Sequence, residues 1–179
     1  WSGPRNLSTA MMYCFGSHPD FAAVDEPFYA AYLAASGMQH PMQDAILASQ
    51  KTNPNDVVSA LLDTIPDGKQ YFYQKHMTHH ILPDFPTDWL EEVEHVFLIR
   101  HPARVLQSYS KKREKPTLID IGFIQQLDLF QKVTALGKHP IVVDASDIKS
   151  NPEGIIKATC NEVGIPFDPD MLSWSKGPK

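Results

Sequence analysis

The chain has 179 residues, 42% of them hydrophobic and 21% charged, with a formal net charge of −5. That length suits one domain with a substantial core, and the composition is ordinary for a soluble globular protein. The acidic surplus argues against general nucleic-acid binding, which needs a basic surface. No apolar run approaches the ~20 residues of a membrane span, and no signal-peptide pattern is present. The two cysteines, Cys14 and Cys160, lie far apart inside predicted helices. They form neither a disulfide framework nor a zinc spacing, so buried, reduced thiols and a cytoplasmic location are expected.

The chain opens on Trp1-Ser-Gly-Pro-Arg-Asn-Leu-Ser-Thr9, followed by the apolar run Ala10-Met-Met-Tyr-Cys-Phe15. A helix is predicted from Leu7 to about Phe15, ending near Gly16. Phe21–Val24 reads as a short strand running into Asp25-Glu26, and Phe28–Ala35 as a helix closed by Gly37. Residues 38–56 are irregular, with a short helix at Asp44–Gln50. Asn55 or Asp56 would cap a further helix through Asp63. After the Pro66-Asp-Gly68 turn come a strand at Tyr71–Lys75 and a short acidic helix at Trp89–Glu94. His95–Ile99 is the clearest buried strand. It breaks at Arg100-His-Pro102, with a helix from Ala103 to about Lys112 behind it. A long helix is predicted from Leu118 to Leu136, a strand at Pro140–Val143 and a helix at Pro152–Val163. Short apolar strands alternating with helices imply an α/β fold: three layers, α/β/α, around a central parallel sheet.

The opening stretch is suited to hold an anion. Helix-start N–H groups lack intrahelical partners, the helix dipole adds positive charge, and Arg5 adds a full cation. An α/β phosphate-binding unit has a strand before such a loop. Residues 1–179 are therefore expected to be a single domain lacking its first strand. In an open parallel sheet ligands gather at the carboxyl ends of the strands. That edge would carry Asp25-Glu26, Lys75-His76, Arg100 and Asp144 beside the loop. Arg100 and Ser108, about two helical turns apart, could both reach one phosphate.

Two stretches carry a family resemblance. Ser2-Gly-Pro-Arg-Asn-Leu-Ser-Thr9 resembles the 5′-phosphosulfate loop of the P-loop sulfotransferases, whose commoner form is P-K-S-G-T-T. Phe97-Leu-Ile-Arg-His-Pro-Ala-Arg-Val-Leu-Gln-Ser-Tyr109 is similar to their 3′-phosphate motif, R-[ND]-P-x-[DE]-x-x-x-S. Asp144-Ala-Ser-Asp-Ile-Lys-Ser-Asn-Pro152 resembles the Y-E-D-L-x-x-x-P stretch that follows it. The resemblance implies a P-loop nucleoside triphosphate hydrolase-like fold of the sulfotransferase type. It also implies transfer of a sulfuryl group from 3′-phosphoadenosine 5′-phosphosulfate to a hydroxyl or amine, without a metal. Gly3, Pro4, Arg5, Asn6, Leu7, Ser8 and Thr9 would then cradle the 5′-phosphosulfate, and Arg100 and Ser108 the 3′-phosphate. The departures are Asn6-Leu7 for Ser-Gly, His101 for Asn, and Ala103-Arg104 for the usual polar-acidic pair. Lys176-Gly-Pro-Lys179 is a poor echo of the closing R-K-G loop of the cytosolic members, so the resemblance implies a domain lacking part of its C-terminal region.

The base has two candidates, His76 first and Glu26 as its rival. Tyr73-Gln-Lys-His-Met-Thr-His-His-Ile-Leu-Pro83 is similar to the family's strand ending in K-T-H-L-P, and the alignment sets His76 on the catalytic histidine. Its ordinary pKa near ~6.5 suits a base at neutral pH. Glu26 follows His18-Pro-Asp at the spacing where tyrosylprotein-type members carry a catalytic glutamate. Lys75 could stabilise the bridging oxygen, or merely be solvated. His76, His79 and His80 are weighed as a metal site and set aside, because no fourth ligand is tied to them. The basic run Lys111-Lys-Arg-Glu-Lys115 reads as cations offsetting a helix dipole. The expected partner is a small-molecule or sugar acceptor, not nucleic acid or membrane. Two other readings stay open. One is a non-catalytic nucleotide-binding domain. The other is an ATP- and Mg²⁺-dependent phosphotransferase, disfavoured because the loop lacks the lysine and second glycine of G-x-x-x-x-G-K-[ST].

Overall fold

The computed structural model describes residues 1–110, 117 and 120–174. Its strands are β1 (Phe21–Asp25), β2 (Tyr71–Lys75), β3 (Val96–Ile99) and β4 (Ile141–Asp144). Its helices are α1 (Ser8–Gly16), α2 (Tyr29–Ser36), α3 (Gln43–Ser49), α4 (Pro54–Leu62), α5 (Pro102–Tyr109), α6 (Phe123–Ala135), α7 (Ala145–Ser150) and α8 (Pro152–Glu162). β1 pairs with β2, and β3 with β4, both in parallel. Ser2 joins the two pairs through parallel bridges to Met77 and Leu98. Its N–H donates to the His76 carbonyl at 3.1 Å, and its own carbonyl accepts from Thr78 N–H at 3.0 Å.

Alternation along each strand separates two cores, because successive side chains point to opposite faces. Phe97 packs with Phe28, Val57, Leu61, Trp89, Leu129 and Val133 on one side, where α2, α4 and α6 lie. Leu98 packs with Met11, Phe15, Val143, Ile156 and Cys160 on the other, under α1 and α8. The expected three-layer α/β architecture therefore holds. Cys14 and Cys160 are free and buried in this second core, and burial, with Cys160 nearby, pushes the Cys14 thiol up to about 12. No described helix is long and apolar enough to cross a membrane.

Some boundaries differ from expectation for local reasons. The acidic segment before β3 is a 3₁₀ turn over Asp88–Glu92 rather than an α-helix. α4 begins two or three residues earlier than expected, with Pro54 at its first turn and Asn53, not Asn55 or Asp56, as its cap: the Asn53 side chain accepts from Asn55 N–H. α6 starts at Phe123 because Gly122 is left-handed, with φ of 69°. Asp144 does not stand free at the sheet edge: it caps the extra helix α7, accepting from Ser146 N–H at 2.6 Å. The expected helix start at Leu118, the basic run at 111–115 and the tail at 176–179 lie outside the described residues.

Candidate active site

The opening loop turns on two left-handed residues, Arg5 (φ 69°) and Leu7 (φ 67°), on either side of Asn6. Alternating handedness of this kind turns successive N–H groups toward one side, making an anion-binding nest. Leu7 stands where the commoner loop has glycine, and a non-glycine residue in that conformation costs about 1–2 kcal/mol. Leu7 precedes α1, and no side chain caps that helix, so its first N–H groups face the loop. Ser8 is buried at this first turn, while Thr9 is exposed.

A tight backbone junction holds the loop in place. A Cβ added to Gly3 would lie 2.5 Å from the Ile121 carbonyl oxygen, and one added to Gly122 would lie 2.9 Å from Thr78 Oγ1. Thr78 Oγ1 donates to the Gly122 carbonyl at 3.0 Å. Asn6 is fully buried, and its amide donates to the Leu98 carbonyl at 3.2 Å. Gln126 Nε2 donates to that same carbonyl at 2.8 Å. The Asn6 side chain thus anchors the loop to β3 and points away from any ligand above it.

The two candidate phosphate motifs come together as the sequence suggests. Arg5 Nε donates to Ser108 Oγ at 2.9 Å, and Arg100 Nη1 donates to the Arg5 carbonyl at 2.8 Å. His101, which replaces the usual asparagine, does an asparagine's work: its Nδ1 accepts from Ala103 N–H at 3.2 Å and caps α5.

Beyond the loop, at the ends of β1 and β2, Lys75 is 5% exposed, and its Nζ donates to Asp25 Oδ1 at 2.6 Å and Glu26 Oε1 at 2.7 Å. Burial works against the lysine's charge. The two carboxylates outweigh it, and the net effect raises its pKa. Glu26 itself is left-handed, with φ of 47°. Its other oxygen, Oε2, lies 3.9 Å from Nδ1 of His80, a residue considered above only as a metal ligand. His80 is 4% exposed, and its ring is stacked between Tyr29 and Tyr32, each centroid 4.9 Å away. Burial above all, then the neighbouring His79 and Lys75, pushes its pKa down to about 2. His80 is therefore neutral and forms no ion pair with Glu26.

The structure places His76 apart from this group. Gln74 and His76 share one face of β2 while Lys75 takes the other, and His76 Nε2 meets Gln74 Oε1 at 3.2 Å. The His76 ring stacks on Trp1 at 4.6 Å and touches Trp89 and Phe28. Burial above all, with His95 and His80 adding to it, holds its pKa well below the ordinary value. Along with Trp1, Trp89 and Tyr71, His76 lines a groove of about 420 Å³ between β2 and β3. That groove includes the first residues of β1, β2 and β3 and runs along β2 to His76, just past its end. The three histidines do not converge, and the described residues include no group of three or more His, Cys, Asp and Glu arranged to hold a metal ion.

Comparison with known proteins identifies the family. Two Arabidopsis thaliana proteins, Branched-chain-amino-acid aminotransferase-like proteins 1 and 2, are 33% and 32% identical to the chain over 178 residues. Those matches take in 99% of this chain and 32% of each relative, so the chain spans about a third of the curated relatives' length. The sulfotransferase domain from the Synechococcus PCC 7002 olefin synthase is similar in fold, with a TM-score of 0.63 and 17% identity, over 99% of this chain and 76% of that one. A family model described as a sulfotransferase domain matches residues 1–179. From its opening loop to its last residue, the chain belongs to the sulfotransferase-domain family.

Proposed function

We propose that the chain transfers a sulfuryl group from 3′-phosphoadenosine 5′-phosphosulfate to a hydroxyl or amine of a small-molecule or sugar acceptor, in a cytoplasmic setting that suits its two free cysteines. One observation carries the reading: Arg5, Arg100 and Ser108 meet at 2.8–2.9 Å, from two motifs about a hundred residues apart. The nest and Arg5 would take the 5′-phosphosulfate. Arg100 and Ser108 would take the 3′-phosphate, the group that distinguishes this donor from ATP. The aminotransferase-like names belong to proteins about three times as long, whereas the sulfotransferase model spans this chain itself.

In the transfer, the acceptor oxygen forms a bond to sulfur as the bond from sulfur to the bridging phosphate oxygen breaks. The proton leaves the acceptor for Glu26, and 3′,5′-bisphosphoadenosine departs. Glu26 suits this role better than His76 because its free oxygen faces the strand ends, while His76 is enclosed by Trp1, Phe28 and Trp89. Lys75 acts by holding the glutamate, and Arg5 stabilises charge on the leaving phosphate.

Calorimetry tests the donor site. The expected result is 3′,5′-bisphosphoadenosine binding at least ~100-fold tighter than 5′-AMP, with Arg100→Ala removing most of the difference; each bidentate arginine–phosphate contact is strong enough for this. Equal affinities would overturn the assignment. With the donor bound, Glu26→Gln should lower sulfation on the order of 10²–10⁴-fold without weakening bisphosphoadenosine binding.

A further inference from the structure

We infer that the acceptor is a neutral or cationic molecule that presents hydrogen-bond donors, and that the site discriminates against acceptors bearing a carboxylate. The inference rests on the sulfuryl-transfer reading of the same site and names the chemistry of its second substrate. Lys75 supplies one positive charge and faces two carboxylates, Asp25 and Glu26, so this corner carries a surplus negative charge. Each carboxylate uses one oxygen on the lysine. Asp25 is half-exposed, which leaves its remaining oxygen open to a ligand.

The second observation is His80. Its Nδ1 is buried without a hydrogen-bond partner and lies 3.9 Å from Glu26 Oε2, too far for a direct hydrogen bond. An acceptor atom about 2.8 Å from both would bridge them. A hydroxyl seated there gives its proton to Glu26 Oε2 as its oxygen attacks sulfur, and it satisfies the orphaned His80 nitrogen. Tyr29 and Tyr32 fix the imidazole plane on both sides, so the seat is rigid. An ammonium elsewhere on the acceptor would meet Asp25, whereas a carboxylate would meet like charge.

The test is a set of acceptor scaffolds, each prepared in ammonium, neutral and carboxylate forms, such as tyramine, 4-ethylphenol and 4-hydroxyphenylacetate. Each is assayed for sulfation with labelled donor. On every scaffold that reacts, the ammonium form is expected to exceed the carboxylate form at least tenfold in kcat/KM, mostly through KM. Asp25→Asn should level the two, and Asp25→Glu should restore the difference. Carboxylate forms that match or lead, or a ratio unmoved in Asp25→Asn, would overturn the inference while leaving the transferase reading intact. No sulfation of any scaffold by protein that binds bisphosphoadenosine would sink the transferase reading, and this inference with it.

Discussion

Gly3 shows how narrowly a single position constrains the loop. The atom a Cβ would strike is a backbone oxygen, which cannot swing aside as a side chain can. Gly3→Ala must therefore move either the loop or the Ile121–Gly122 turn. The expected cost is about 1–3 kcal/mol of stability, with weaker bisphosphoadenosine binding, read from denaturant midpoints and titration calorimetry. An unchanged midpoint would mean the junction is softer than its 2.5 Å approach implies. At this same scale, Arg5, Arg100 and Ser108 were legible in the sequence because strand-to-helix spacing brings them together. The histidines were not. His76, His79 and His80 lie within five positions, and choosing among them depends on strand alternation and on where β2 ends. Neither is fixed by a run of polar residues. What could have pointed to His80 was its pairing with Tyr29 and Tyr32 at helical spacing across the chain, an aromatic match that no local motif records.

At the scale of elements, the loop, β3 and α6 share one carbonyl. Asn6 and Gln126 both donate to Leu98 O, and the amide oxygen of each is buried without a partner. Because the two donors serve one acceptor, losses at the two positions should not add. A double-mutant cycle on Asn6→Ala and Gln126→Ala is expected to give a coupling of about 0.5–3 kcal/mol. Additivity within error would show that α6 and the loop are held independently. Most elements were readable, because caps and glycines punctuate this chain clearly: Pro102 and Pro152 begin helices, and Gly37 and Gly137 follow their ends, whereas α7 was not foreseen. The exceptions have two causes, one tertiary and one local. α6 begins late where Gly122 must approach Gly3 and Thr78, and Asp144 was drawn into capping α7.

Across the whole molecule, four histidines carry pKa values lowered chiefly by burial: His76, His80 and His95, which are buried, and His79, which is half-buried. Folded values below the unfolded value of about 6.5 mean that the unfolded chain takes up protons first as the pH falls. The stability these groups contribute is complete above that pH and is lost progressively below it. Each group that stays neutral removes about 1.4 kcal/mol per pH unit. Urea unfolding should therefore show stability falling steeply from pH 6.5 to pH 5, well before ordinary carboxylates protonate. A flat profile across that range would mean that the histidines are hydrated in the folded protein.

The aromatic box around His76 also gives the protein its own optical gauge. Two of its three tryptophans, Trp1 and Trp89, lie against that imidazole, and Trp1 donates its indole N–H to His95 at 2.8 Å. Trp174 is 47% exposed beside Tyr13. Emission from the native chain is thus a blue-shifted core signal over one solvent-exposed contribution. A proton forced onto His76 or His95 would quench the first and spare the second, so light from two indoles reports the ionisation of a buried imidazole directly.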